Sequence, residues 1–166
     1  MAKPTATPTN DDSTDVTRKQ LIELLNDDLA REYQAIIAYI VYSQAIKGAQ
    51  FMSIARELEG HARQELEHAL LIAKQIDYLG GDIIATPKPV KTSGKATEML
   101  HFDLANERET IVQYRGRVKQ CEALGEYAMA EVIREILKQE QDHLIDLATA
   151  LGQDPPDLST TTAKRK

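Results

Sequence analysis

The chain has 166 residues, a mass of 18.5 kDa and a formal net charge of -6, which suits one domain with its own buried core. Twenty Lys and Arg against 26 Asp and Glu argue against a general nucleic-acid binder, whose phosphate contacts need clustered cations. A single cysteine, Cys121, excludes an internal disulfide framework and a four-cysteine metal site; no apolar run reaches the ~18 residues of a membrane span.

Residues 1–16 are rich in Thr, Pro, Asp and Asn and predict a disordered tail with no signal-peptide core. Together with the lone cysteine this points to a reducing cytoplasm. Thr17 and Gln20 form a capping-box pattern, starting a first helix that Gly48 ends as C-cap, over about 17–47. A second helix runs from about Gln50 to Gly80-Gly81. Asp82 to Lys95 is a polar linker containing Pro87 and Pro89. A third helix follows over about 96–123 and breaks at Gly125; a fourth runs to Gly152. Residues 152–166 form a second polar tail, with Pro155 and Pro156.

Each helix carries an apolar stripe with spacings of three and four. The first reads Leu21, Leu25, Leu29, Glu32, Ile36, Tyr39, and the second Ile54, Leu58, Ala62, Glu65, Ala69, Ile72, Ile76. The third reads Leu100, Leu104, Glu107, Ile111, Tyr114, Val118, Cys121, and the fourth Met129, Ile133, Ile136, Glu140, His143, Leu147. The expected fold is an all-α four-helix bundle over 17–151. Short connections make the first and second helices antiparallel, and likewise the third and fourth. The linker spans about 50 Å when extended, against about 45 Å for the second helix. It can therefore cross the whole bundle and set the second and third helices parallel.

One glutamate per helix interrupts the stripe: Glu32, Glu65, Glu107 and Glu140. Four buried carboxylates at one level demand protons or cations. His68 and His143 each follow a glutamate by three residues, on the same side of the helix. These six groups match two divalent ions, whose charge of +4 balances four carboxylates. A single offset of 75 residues relates Glu32 to Glu107, Tyr39 to Tyr114, Glu65 to Glu140 and His68 to His143. Two hairpins about a pseudo-twofold axis, with one metal per half, account for this.

A glutamate from each of two helices plus Glu-x-x-His from the other two resembles the ferritin-like di-iron or di-manganese carboxylate pattern. More narrowly it resembles bacterioferritin: the Glu32–Tyr39 spacing, Glu65-x-x-His68, Asp103-Leu104-Ala105-x-Glu107 and Glu140-x-x-His143 all match. The resemblance implies the ferritin-like fold with one long crossover. It also implies bridging roles for Glu65 and Glu140. Glu32 and His68 would then complete one iron, Glu107 and His143 the other, with Tyr39 and Tyr114 supporting them. Haem-binding bacterioferritins carry Met where this chain has Leu66, so no haem is expected. The tail after Gly152 is too polar and proline-broken for the fifth helix of a 24-subunit shell, so a Dps-like homo-oligomer nearer 12 subunits is expected. The first helix has no histidine, so the intersubunit Dps site is not expected. His61 lies one turn before Glu65, where it could help iron pass, but an exposed structural role is the preferred reading; His101 is unassigned, and Cys121 reads as packing.

The implied activity is ferroxidase and iron storage: ferrous iron is oxidised by dioxygen or hydrogen peroxide and kept as ferric mineral in a cage. The alternative is a non-cage di-iron or di-manganese hydroxylase, peroxidase or catalase on the same bundle. Charged outer residues such as Arg56, Glu57, Arg63 and Lys74 count against membrane docking. DNA is an unexpected partner, given Asp11, Asp12 and Asp15 in one tail and only Lys164-Arg165-Lys166 in the other.

Overall fold

The computed structural model describes residues 14–159. Four helices account for most of them: α1 (Arg18–Ala45), α2 (Met52–Tyr78), α3 (Ala96–Ala123) and α4 (Tyr127–Ala150). A 3-10 turn, Ala49–Phe51, leads into α2. There is no strand among the described residues. Thr17 and Gln20 close the capping box on α1, the Thr17 amide donating to Gln20 Oε1 at 2.8 Å. At the other end α1 stops at Ala45 with Ile46 as its cap, two residues before Gly48. Gly48 begins the 3-10 turn instead.

The other three helices end alike. Gly80, Gly125 and Gly152 follow the caps with φ of 79°, 77° and 67°. The amide after each glycine bonds back to Ile76, Cys121 and Ala148 at 3.0, 2.9 and 3.0 Å. This is the Schellman pattern, which needs the left-handed conformation that glycine adopts without a Cβ penalty.

α1 packs on α2 and α3 on α4, and the hairpins meet along α1–α3 and α2–α4. The linker, residues 79–95, is extended and lies along α1. Asn26 clips its start: Asn26 Nδ2 donates to the Asp82 carbonyl at 2.9 Å, and the Ile84 amide donates to Asn26 Oδ1 at 2.8 Å. Further on, Lys88 N bonds to the Ala30 carbonyl, Gln34 to the Pro89 carbonyl and Tyr42 to the Lys91 carbonyl. The linker therefore travels from the start of α1 towards its end, and delivers α3 parallel to α2. That is the ferritin-like bundle with one long crossover.

The core is in two pieces. One apolar cluster holds Leu21, Leu25, Leu29, Ile72, Ile76, Cys121, Met129, Ile133 and Ile136. The other holds Tyr42, Ile54, Leu58, Leu100, Leu104, Ile111, Leu144 and Leu147. Between them lies a layer of buried polar side chains. Residues 152–159 are not helical. The proposed tail 1–16 falls outside the described residues up to 13, and the basic tip 164–166 lies outside them too.

Candidate metal centre

Glu32, Glu65, His68, Glu107, Glu140 and His143 converge in the polar layer, each no more than 3% exposed. Their candidate ligand atoms form two overlapping groups, each within 4.8 Å: Glu32, Glu65, His68 and Glu140, and Glu65, Glu107, Glu140 and His143. Glu65 and Glu140 belong to both. Glu65 turns Oε2 to His68 Nδ1 at 3.1 Å and Oε1 to His143 Nδ1 at 2.9 Å. Glu140 does the same, with Oε1 3.1 Å from His68 Nδ1 and Oε2 3.3 Å from His143 Nδ1. A carboxylate with one oxygen toward each group has the disposition of a bridge.

The surrounding bonds obey the 75-residue repeat. Tyr39 on α1 donates its hydroxyl to Glu107 on α3, and Tyr114 on α3 donates to Glu32 on α1. His68 Nε2 donates to Gln139 Oε1 at 3.2 Å, and His143 Nε2 donates to Gln64 Oε1 at 2.8 Å. These bonds orient both imidazoles with Nδ1 facing the carboxylates, as a metal-ligating histidine needs.

The layer carries strongly perturbed acids and bases. Burial, reinforced by the Glu65 and Glu140 carboxylates, pushes Glu32 and Glu107 well above the ordinary carboxylate range. Burial also acts on Glu65 and Glu140, but hydrogen bonds with His143 and His68 outweigh it and hold both below that range. His143 is raised to about 9, because Glu140 and Glu65 overcome its burial. Glu107 Oε2 has no hydrogen-bond partner, and Glu32 Oε2, Glu65 Oε1, Glu140 Oε1 and His143 Nδ1 meet only the carboxylate and imidazole atoms of the same layer, at 2.9–3.4 Å. Buried carboxylate oxygens and imidazole nitrogens with no partner but one another, gathered in one space, fit hard-to-borderline divalent cations such as iron or manganese.

The flanks do not obey the repeat. Beside the Glu32 group, Asp28 is fully buried and accepts Arg117 Nε at 2.6 Å and Arg117 Nη2 at 3.2 Å. Arg31, also buried, donates to Asp28 and, at 2.7 Å, to Asp27. The repeat equivalent of Asp28 is Asp103, beside the other group. Asp103 is 2% exposed with Oδ2 unpartnered, and burial raises its carboxyl well above the ordinary range. The arginines that hold Asp28 are replaced in that half by Tyr42 and Asn106.

His61 corrects the sequence reading. It is 4% exposed rather than exposed, stacked on His143 with ring centroids 4.0 Å apart and edge-on to Tyr39 at 5.3 Å. Burial and the neighbouring His143 lower it to about 4. Its spacing of four residues from Glu65 was the available signal, since that spacing keeps both on one helix face. Gln64, Gln139, Asp28, Arg31, Asp103 and Arg117 are further members of the layer that the stripes did not reveal. His101 is exposed, and Cys121 is buried in the apolar cluster.

Comparison with known proteins agrees with this architecture. The chain is 27% identical over 133 residues to a bacterioferritin of Brucella melitensis biotype 1, covering 80% of this chain and 83% of that protein. A ferritin-like diiron-carboxylate protein from Bacillus anthracis str. Ames superposes with a TM-score of 0.78 at 33% identity, over 81% of this chain and 96% of that one. A dodecameric thioferritin, the bacterioferritin-related protein of Bacteroides fragilis, superposes with a TM-score of 0.76 at 28% identity, over 82% and 87%. The family model of the ferritin-like domain matches residues 22–155, and with the bundle, crossover and polar layer already described, the chain belongs to that family.

Proposed function

We propose that this chain is an iron-storage and detoxification protein with a ferroxidase centre inside each subunit. The observation that carries the reading is the pair of overlapping four-residue groups sharing Glu65 and Glu140. Ferrous iron is the substrate. Glu32 and His68 hold one ion and Glu107 and His143 the other, while Glu65 and Glu140 span both. Two ferrous ions give up one electron each, and the pair of electrons reduces dioxygen to hydrogen peroxide, or hydrogen peroxide to water. Tyr39 and Tyr114 fix the terminal glutamates, and Gln64 and Gln139 fix the histidine tautomers. The centre therefore meets each ion with its ligands already oriented. Manganese suits the same ligands. Leu66 offers no thioether to a haem iron.

Storage requires a closed shell. Ile37 and Ile40 on α1 and Leu66 and Leu70 on α2 are 40%, 54%, 52% and 64% exposed, an apolar face suited to subunit contact. The dodecameric assembly of the Bacteroides fragilis relative favours 12 subunits over 24. A cytoplasmic location completes the reading, and no helix among the described residues is long and apolar enough to cross a membrane.

Stopped-flow absorbance after mixing the metal-free protein with ferrous iron and dioxygen tests the centre. Glu65→Ala removes a bridging group and is expected to abolish the fast phase; an unchanged rate would refute the assignment. Sedimentation separates the cage from the alternative enzyme. Twelve chains of 18.5 kDa give about 220 kDa, whereas a stable dimer would favour a non-cage hydroxylase, peroxidase or catalase.

A further inference from the structure

The α2–α4 seam is a ladder of polar pairs. His68 faces Gln139, one turn on Gln64 faces His143, and one turn further His61 faces Asp146. The first two rungs belong to the centre. The third leads outward: His61 has a 5% exposed side chain and Asp146 a 46% exposed one. His61 also lies flat against His143. A polar column thus runs from solvent at Asp146, through His61, to a member of the Glu107–His143 group.

The column exists on one side only. At the repeat-related position of His61 stands Ile136, which is fully buried, and at that of Asp146 stands Leu71. On the flank of the Glu32–His68 group the buried Arg31 and Arg117 already hold the carboxylates of Asp27 and Asp28. His61 is also a costly residue for mere packing. Its Nδ1 is buried without a partner, a desolvation penalty that the isoleucine of the other repeat avoids.

From these observations we propose that His61 Nε2 and Asp146 Oδ2 form a third cation position, which receives ferrous iron on the α2–α4 face and passes it to the Glu107–His143 group. The two atoms are 3.2 Å apart. Two ligand atoms each about 2.1 Å from one ion, at the angles of a tetrahedral or octahedral shell, lie about 3.0–3.4 Å apart. Two protein ligands leave the remaining positions to water. Such a site binds weakly and releases readily, as a transfer position must. The inference rests on the proposed centre for its destination.

The test uses the metal-free full-length protein and cobalt(II) as probe, with calorimetry for stoichiometry and visible absorbance for rate. Wild type is expected to take up two tight equivalents and one weaker equivalent per chain. His61→Phe keeps a ring against His143 and removes both nitrogens; Asp146→Asn changes a half-exposed group without touching the core. Each is expected to lose the weak equivalent and to slow filling of the tight ones about tenfold. Retention of the third equivalent, or of the wild-type filling rate, in either variant overturns the proposal. Two tight equivalents with no third in wild type would sink this inference alone. Fewer than two would sink the centre itself.

Discussion

Replacing Asp28 with Asn should destabilise the bundle more than any change to its surface. Asp28 is fully buried, and Arg117 beside it is 2% exposed. The carboxylate receives two bonds from Arg117, at 2.6 and 3.2 Å, and one from Arg31. An amide of the same shape keeps the packing but cancels the charge. Arg31 retains Asp27 as a partner at 2.7 Å. Arg117 retains only the neutral Gln120 and is left as a buried cation without a counter-charge. Breaking a buried pair in this way costs about 3–5 kcal/mol. With a urea slope of about 2 kcal/mol per molar, the midpoint falls by about 1.5 M or more. The comparison must be made at equal subunit concentration, because assembly contributes to apparent stability. The pH dependence has a definite sign. Although burial raises Asp28, Arg117 and Arg31 outweigh it and hold the carboxyl below its ordinary value. Its contribution is therefore complete above the unfolded value of about 4, and is lost as pH falls through the lower folded value. The gap between wild type and Asp28→Asn should accordingly close in acid. A midpoint shift below about 0.5 M at pH 7 would show that Arg117 finds water or another partner, and would refute the reasoning.

Two further outcomes follow from the centre. Tyr114→Phe removes the hydroxyl that fixes Glu32, so the cobalt affinity of the Glu32–His68 group should fall about 10-fold or more while the fold persists; unchanged titration would show that the tyrosine only packs. Loading both groups at about 100 times their dissociation constants should add about 2.7 kcal/mol per ion, which for a chain of this size raises the melting temperature by roughly 10–20 °C. Chelation should reverse the rise, and an equal rise in Glu65→Ala would place the bound metal elsewhere.

The apolar stripes made the bundle legible because a 3.6-residue period survives without knowledge of partners. Glu32, Glu65, Glu107 and Glu140 stood out for the same reason, as charges where the period demanded apolar groups. Asp28, Arg31 and Arg117 were harder. Each is a charged residue beside the apolar stripe of its helix, and its burial depends on the α1–α3 register, which no single helix encodes. His61 was misread because a lone histidine between Gly60 and Ala62 resembles a surface residue. Only its stacking on His143 from α4 shows that it is enclosed. The course of the linker was legible in length but not in attachment. The Asn26 clip is a long-range contact made by an ordinary helical asparagine.

The crossed tyrosine bonds have a consequence for how such a centre can be assembled at all. Tyr39 reaches from the first hairpin to Glu107 of the second, and Tyr114 reaches back to Glu32. Neither hairpin owns a finished half-site. A polypeptide holding just one of them would have to meet a second copy of itself before it could close around metal, and symmetry would then make both halves identical. Joining the copies in tandem through residues 79–95 lifts that restriction. Each copy can then hold its own residue at corresponding places, and the pairs Arg31 with Asn106 and His61 with Ile136 show the freedom in use. One half is braced by arginine while the other keeps a doorway, a division of labour closed to a homodimer built from a single hairpin.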